Sequence, residues 1–275
     1  MDIHSIKLTD MIFLWLFILS VVTIIVVVIL LMRYLKDEGK RTQEESSKLK
    51  KQMTSNIAHE LRTPVTSIRG YLETLIACPD MPEESKKTFL ERAYVQTLRL
   101  SELISDMALI SKMEEKSSKF VKDDVDLYEV SSEVFSEFAE KISQKGVVVE
   151  NLISAGTVLP ANRTLVYTIL RNLVENSLKY AGDGVTLHLE CYSTIEKYYY
   201  LTYYDTGTGV PDGHLERIFE RFYRVSEGRT RDDGGSGLGL SIVKNAVAFH
   251  GGSINAINRE WGGLQFFFTL RRKED

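Results

Sequence analysis

Between Met11 and Met32 the chain runs for 22 residues, MIFLWLFILSVVTIIVVVILLM, without a charged side chain. As a helix rising ~1.5 Å per residue, such a run is about 33 Å long, enough to cross the hydrocarbon core of a bilayer. One transmembrane helix over 11–32 is therefore expected. A cleaved signal peptide is the competing reading, but the apolar run is too long for one, no A-x-A-like site follows, and RYLKDEGKR resembles a stop-transfer flank. Only Lys7 precedes the span, whereas Arg33, Lys36, Lys40, Arg41, Lys48, Lys50 and Lys51 follow it. That asymmetry places the C-terminal part in the cytoplasm and leaves residues 1–10 outside, too few for a folded external sensor.

The juxtamembrane linker, 33–48, is polar, lacks proline and has one glycine, Gly39, so a helix continuing out of the membrane is expected. From Leu49 an apolar series follows at Met53, Ile57, Leu61, Val65, Ile68, Leu72 and Leu75, in steps of three and four. This is the stripe of an amphipathic helix with a coiled-coil-like seam. CPDMPEE, Cys78 to Glu84, supplies a turn, and Phe89, Ala93, Leu100, Ile104, Met107 and Ile110 resume the helical spacing. Residues 49–113 thus form a helical hairpin. One hairpin covers only half of its own stripe, so two copies pairing into a four-helix bundle, a homodimer, is expected.

Within the first helix, His59 lies about 200° from both Ile57 and Leu61, and so faces away from the stripe. An exposed histidine followed by Glu60 offers a nucleophilic Nε2 with a carboxylate available to the Nδ1 proton. Pro64 removes the hydrogen bond that the carbonyl of Glu60 would otherwise receive, loosening the helix beside the histidine.

After Glu114 the texture changes to short helical and strand-like pieces, an α+β domain over 114–275. A period-two run, YYYLTYYD, ends at Asp205 and enters DTGTGVP, which puts a carboxylate at a strand end beside glycines 207 and 209. GGSGLGLSIVKNAVAFHGG, Gly234 to Gly252, sets four glycines before an apolar helix, an arrangement that cradles phosphates on backbone N–H groups. Without a βαβ context it is not a dinucleotide fold. In LRNLVENSLKYAG, Asn172 and Asn176 share one helix face with Lys179 nearby. Two amide oxygens suit a hard cation such as Mg2+, and the lysine suits phosphate. The net charge of −4 argues against nucleic acid as a partner, and Cys78 and Cys191 lack the spacing of a zinc site or a disulfide framework. His250 ends an apolar helix without a neighbouring base and reads as structural; His188 reads as a sheet-surface residue. The tyrosines of 198–204 read as β-formers.

In this order, HELRTP, NLVENSLKY, DTGTGV, ERIFERFYR and GGSGLGLSIV resemble the H, N, G1, F and G2 boxes of the bacterial sensor histidine kinases of two-component systems. The resemblance implies an α plus α+β chain: a single transmembrane helix, a dimeric hairpin domain forming a four-helix bundle, and a two-layer α/β-sandwich ATP-binding domain of the Bergerat or GHKL type. It implies autophosphorylation from ATP with Mg2+, then transfer to an aspartate of a response regulator, at the cytoplasmic (inner) membrane. On that likeness His59 is the phosphoacceptor, Glu60 its base, and Thr63 a residue that orients water in dephosphorylation. Asn176, assisted by Asn172, would hold Mg2+, and Glu175 is either an activating carboxylate or a plain surface residue. Lys179 and Tyr180 would line the phosphates and the adenine-ribose side. Asp205 would accept the adenine amino group against a wall shaped by Gly207 and Gly209. Arg221 and Arg224 would approach phosphate, and Phe219 and Phe222 would pack under a lid at 225–235. Gly235, Gly237 and Gly239, with Leu240, would flank the triphosphate. Ser177 stands where alanine is commoner and Asn162 where aspartate is. A topoisomerase- or chaperone-like ATPase lacks the hairpin His-Glu pair, and a purely binding module does not require this set. Input through the membrane helix, a partner membrane protein or a cytoplasmic factor all fit the chain, as does truncation of a longer sensor.

Overall fold

The computed structural model describes residues 15, 31–34, 36, 54–115, 120–195, 197–225 and 235–272. Two compact units divide the chain, Met1–Ala58 and His59–Asp275. The described residues of the first are all helical. Among the described residues no helix is long and apolar enough to cross a membrane; of the expected span, only residues 15, 31 and 32 are described.

Helix α1 covers residues 54–77 and continues through Pro64, which is buried. Helix α2, Glu83–Glu114, starts after Pro82 without a side-chain cap; Glu83 and Glu84 in its first turn complement the positive end of the helix dipole instead. In the link, Cys78 N–H donates to the carbonyl of Thr74 at 3.0 Å and Met81 N–H to that of Cys78 at 3.2 Å, which closes the turn. Tyr71 and Phe89 join the helices, with ring centroids 5.9 Å apart. The hairpin covers its stripe unevenly. Ala93, Leu103, Ile110 and Met113 are buried, whereas Val65, Leu72, Leu90, Tyr94, Val95, Leu98 and Ile104 are exposed. The buried residues near the end of α2 belong to the core of the domain that follows, and the exposed ones have no second layer among the described residues.

That domain is a two-layer sandwich. Its five-stranded sheet has the order β2-β4-β5-β7-β6, from β2 (Val148–Asn151), β4 (Thr186–Ile195), β5 (Tyr198–Asp205), β6 (Ile254–Asn258) and β7 (Leu264–Arg271). Only β2 and β4 are parallel; the other neighbours are antiparallel. A separate ribbon pairs β1 (Asp123–Asp126) with β3 (Val158–Ala161). Helices α3 (Leu127–Glu137), α4 (Ala139–Gln144), α5 (Arg163–Tyr180) and α6 (Gly239–Phe249) complete the domain.

Alternation along β5 and β7 explains the layering. Leu201, Tyr203 and Asp205, with Leu264, Phe266, Phe268 and Leu270, are buried in the core with Leu165, Ile169 and Leu173 of α5 and Ile242, Val243, Ala246 and Val247 of α6. Residues of opposite parity form the outer face, where Tyr192 meets Tyr200 and Phe267 at ring distances of 6.2 and 6.3 Å. His188 is on this outer face but is only 7% exposed. Its Nδ1 meets Glu150 at 2.9 Å, its Nε2 meets Glu190 at 3.3 Å, and its ring stacks on Tyr204 at 4.4 Å. Two of the neighbours that bury it, Glu150 of β2 and Tyr204 of β5, come from the flanking strands, which the alternation within β4 does not specify. His250 is structural: Nδ1–H donates to the carbonyl of Ala246 at 2.7 Å and Nε2 accepts from Asn162 N–H at 3.0 Å. Both bonds fix one neutral tautomer, and burial pushes its pKa down.

Candidate active site: an exposed histidine and a glycine-walled cradle

The side chain of His59 is 67% exposed, as its helical phase requires, and its Nδ1 is 3.7 Å from the Glu60 carboxylate, just beyond hydrogen-bond length. Thr63 turns its hydroxyl back onto the carbonyl of His59 at 3.3 Å. In an i to i−4 pattern this keeps the side chain against its own helix.

The second constellation gathers on α5, the end of β5 and the start of α6. Asn162 caps α5, accepting from Leu165 N–H at 3.1 Å. Asp205 is buried and already well supplied with donors. Its Oδ1 accepts from Gly207 N–H at 3.0 Å and Leu264 N–H at 3.3 Å, and its Oδ2 from the hydroxyl of Ser177 at 2.8 Å. A carboxylate held at this edge presents the acceptor that an exocyclic amine needs.

The glycines are fixed by what faces them. A Cβ on Gly207 would be 2.3 Å from the carbonyl oxygen of Ala181, at the end of α5. Gly209 has φ +70° and faces Asn258, whose Oδ1 accepts from Val210 N–H at 2.9 Å and pins the loop. Cβ atoms on Gly235 and Gly239 would each lie 2.7 Å from a polar side-chain oxygen, of Tyr180 and Asn172 respectively. On Gly237 it would meet the backbone of Phe222 at 2.8 Å. Phe222 N–H donates to the carbonyl of Gly237 at 2.9 Å, with Phe222 itself at φ 64°. Three motifs far apart in sequence thus share one wall. Helix α6 begins there with no side-chain cap, leaving its first N–H groups free of side-chain acceptors and suited to phosphate oxygens. Leu240 is partly buried against the core.

Family models match in the same order. The His Kinase A (phospho-acceptor) domain matches residues 49–116, and the histidine kinase-, DNA gyrase B- and HSP90-like ATPase matches residues 161–274. The chain belongs to the sensor histidine kinases. It is 32% identical to the sensor histidine kinase WalK of Bacillus subtilis (strain 168) over 85% of this chain and 38% of that protein. With the signal transduction histidine-protein kinase BaeS of Escherichia coli (strain K12) it is 30% identical, over 85% of this chain and 49% of BaeS. The chain thus spans less than half the length of these two relatives. Among solved structures, the histidine kinase ThkA in complex with the response regulator protein TrrA aligns with a TM-score of 0.63 at 26% identity, over 86% of this chain and 66% of that one. The Acinetobacter baumannii histidine kinase AdeS shares the fold at 23% identity, with a TM-score of 0.62 over 78% of this chain and 98% of that one.

Some of the expected site residues are already engaged. Lys179 Nζ pairs with Glu175 at 2.7 Å, and Glu175 also meets Arg171 at 3.1 Å. Burial pushes the Glu175 carboxyl up, but Lys179 and Arg171 hold it below its ordinary value overall. Asn172 Nδ2 donates to the carbonyl of Thr168 at 2.8 Å, which leaves its Oδ1 toward Gly239. Asn176 is half-buried one turn on, with no side-chain hydrogen bond to a described residue. Tyr180 is 52% exposed at the end of α5. Phe219 and Phe222 pack against the core, Phe219 with Phe266 at 6.1 Å. Arg221 and Arg224 are half-buried on the same segment. Of the expected lid, residues 226–234 lie outside the described residues. Asn258 and the Ser177–Asp205 bond went unassigned in the sequence, because each acts across the fold from its partner: Asn258 is 48 residues from Val210, and Ser177 is 28 from Asp205.

Proposed function

We propose that this chain is a membrane-bound protein-histidine kinase that phosphorylates His59 from ATP and passes the phosphoryl group to an aspartate of a response regulator. The observation that carries the proposal is an exposed His59–Glu60 pair on a hairpin in the same chain as the glycine-walled cradle around Asp205. The cradle fits ATP: a buried carboxylate acceptor for the amine, backbone that no Cβ could replace at Gly207, and an uncapped helix start for the phosphates. Asn176, with Asn172, would hold Mg2+, which when bound offsets phosphate charge; two amide oxygens on one helix face suit an ion that keeps most of its waters.

In the reaction, the lone pair of His59 Nε2 forms a bond to the γ-phosphorus as the bond to the bridging oxygen breaks, and ADP leaves. Glu60 takes up the positive charge that develops on the ring through the Nδ1 proton. Most of the rate gain comes from positioning and from donors aimed at phosphate oxygens. Lys179, Arg221, Arg224 and the backbone at Gly235, Gly237 and Gly239 supply those donors, with Leu240 packed beneath. Tyr180 flanks the ribose side and Gly209 the purine wall. Thr63 leaves the His59 carbonyl to orient water when the regulator is dephosphorylated.

Two hairpins pair through the exposed residues Val65, Leu72, Leu90 and Leu98, and residues 11–32 anchor the dimer in the cytoplasmic membrane. ThkA's complex with TrrA supports a response regulator as the partner of this chain. The test is incubation of the full chain with γ-labelled ATP and Mg2+, beside His59→Gln. An acid-labile, alkali-stable label that is absent from the variant is expected. Label retained by the variant would remove His59 from the role.

A further inference from the structure

One turn grips the end of β5 from both faces of the sheet. Asp205 is buried on the core side, and its neighbour Tyr204 is half-buried on the outer face. The residues that link β6 to β7, Arg259 to Gly263, reach both. On the inner side, Leu264 N–H, directly after the turn, donates to Asp205 Oδ1 at 3.3 Å. Gly263, with φ +98°, approaches so closely that a Cβ there would be 1.8 Å from the Asp205 carbonyl oxygen. On the outer side, the guanidinium carbon of Arg259 stands 3.8 Å from the centre of the Tyr204 ring, which also stacks on His188 of β4 at 4.4 Å. The turn is closed on itself: Arg259 N–H donates to the Gly263 carbonyl at 3.0 Å, and Gly262 N–H to the Arg259 carbonyl at 3.1 Å. Asn258, just before it, extends the grip to the loop beyond β5, accepting from Val210 N–H at 2.9 Å and donating to Asp212 at 2.9 Å.

The backbone contacts and the glycines let the turn approach, but they do not require an arginine at 259. A half-buried guanidinium over a tyrosine ring adds a cation–π attraction that strengthens as water is excluded. Arg259 also carries the turn's own hydrogen bonds, so a displacement of its backbone passes through Gly263 to Leu264 N–H, and from there to Asp205 Oδ1. We infer that Arg259 and Tyr204 are positioning residues for the purine: their stack clips the β6–β7 turn over the end of β5, holds the Asp205 carboxylate in one place and sharpens the choice of adenine over guanine. The inference rests on Asp205 being the purine acceptor. Adenine presents an amine to that carboxylate, whereas guanine presents a carbonyl oxygen from the same ring carbon. A carboxylate held still repels that oxygen, and one free to swing aside tolerates it. Neither positioning side chain touches the purine, because both stand on the outer face of the sheet while Asp205 faces the other way.

The experiment compares the full chain with Arg259→Gln, Tyr204→Leu, Tyr204→Phe and the Arg259→Gln, Tyr204→Leu double variant. Calorimetry gives the affinity for ADP, and displacement of ADP gives that for GDP. Arg259→Gln and Tyr204→Leu should each bind ADP about three- to tenfold more weakly while GDP binding falls less, so that the preference for ADP narrows. Tyr204→Phe keeps the ring and should stay within about twofold of the unsubstituted chain. The double variant should lose no more than the larger single loss, because either substitution cuts the same contact. Unchanged ADP affinity in Arg259→Gln would overturn the inference, as would losses that multiply in the double variant. Equal losses for ADP and GDP would overturn it too, since that is what a merely loosened fold produces. Should Tyr204→Leu fail to fold, Arg259→Gln and Tyr204→Phe decide the matter. An unsubstituted chain that binds GDP as well as ADP would instead refute Asp205 as the purine acceptor, and the role of the turn would fall with it.

Discussion

Asp205→Asn separates the two tasks that this carboxylate can perform. Three donors converge on it: the N–H groups of Gly207 and Leu264 on Oδ1, and the Ser177 hydroxyl on Oδ2. An asparagine oriented with its oxygen at Oδ1 keeps both backbone donors. Its amide nitrogen then occupies the Oδ2 position, and the Ser177 hydroxyl, free to rotate, becomes the acceptor of that contact. The fold should lose only the charge-assisted part of these bonds, about 1 kcal/mol. A purine amine fares differently. It loses a hydrogen bond to a charged group, about 1.5–3 kcal/mol, and then faces another N–H donor, about 1–3 kcal/mol more. At ~1.4 kcal/mol per decade, a combined loss of about 3–4 kcal/mol weakens ATP binding by a factor of several hundred. Titration calorimetry of ATP into the full chain gives the affinity, and urea unfolding gives the stability. ATP affinity within about tenfold of the unsubstituted chain would refute the placement of the amine on Asp205. A stability loss above ~3 kcal/mol would mean that the carboxylate serves the fold first.

Three further perturbations follow from the packing. Burial first, then the charge of Glu102, pushes the Asp106 carboxyl on α2 from 3.8 up to about 6, with Arg171 and Lys179 opposing and Glu175 reinforcing. A raised carboxyl binds its proton more tightly folded than unfolded, so stability falls as pH rises from about 4 to 6. Asp106→Asn should therefore raise stability at pH 7–8 by about 1–2 kcal/mol, discounted for partial exposure, and flatten that slope in urea titrations; no gain would refute the burial cost. Gly207→Ala drives a methyl to 2.3 Å from the Ala181 carbonyl oxygen and should lower the unfolding temperature by roughly 4–8 °C while weakening ATP binding, both read in one thermal-shift series. His250→Phe strands Asn162 N–H and should cost about 2–3 kcal/mol near pH 8. Because the folded pKa of His250 is depressed, the unfolded chain takes up a proton first, and the native ring's contribution is lost as pH falls below about 6.5. The cost of the variant should shrink over that range, and a constant cost would contradict a buried neutral ring.

The chain announces those features that a residue's own element can encode. Helical phase turned His59 outward before any partner was known, because an α-helix assigns each position a direction by spacing alone. Period-two alternation likewise marked the strand that ends at Asp205, and glycines before an apolar helix marked the start of α6. The alternating helical and strand-like pieces marked an α+β domain, whereas its two-layer form was implied by the resemblance of the five boxes. Tertiary structure decided everything that joins residues through space. It brought the Cβ positions of Gly235, Gly237 and Gly239 against Tyr180, Phe222 and Asn172, locked Asn258 onto the 209–210 loop and enclosed His188 between two glutamates of different strands. It also paired Lys179 with Glu175 and set the Ser177 hydroxyl on the Asp205 carboxylate. A local pattern fixes which way a side chain points, whereas what it meets depends on strand order and helix packing across dozens of residues, which no local period contains.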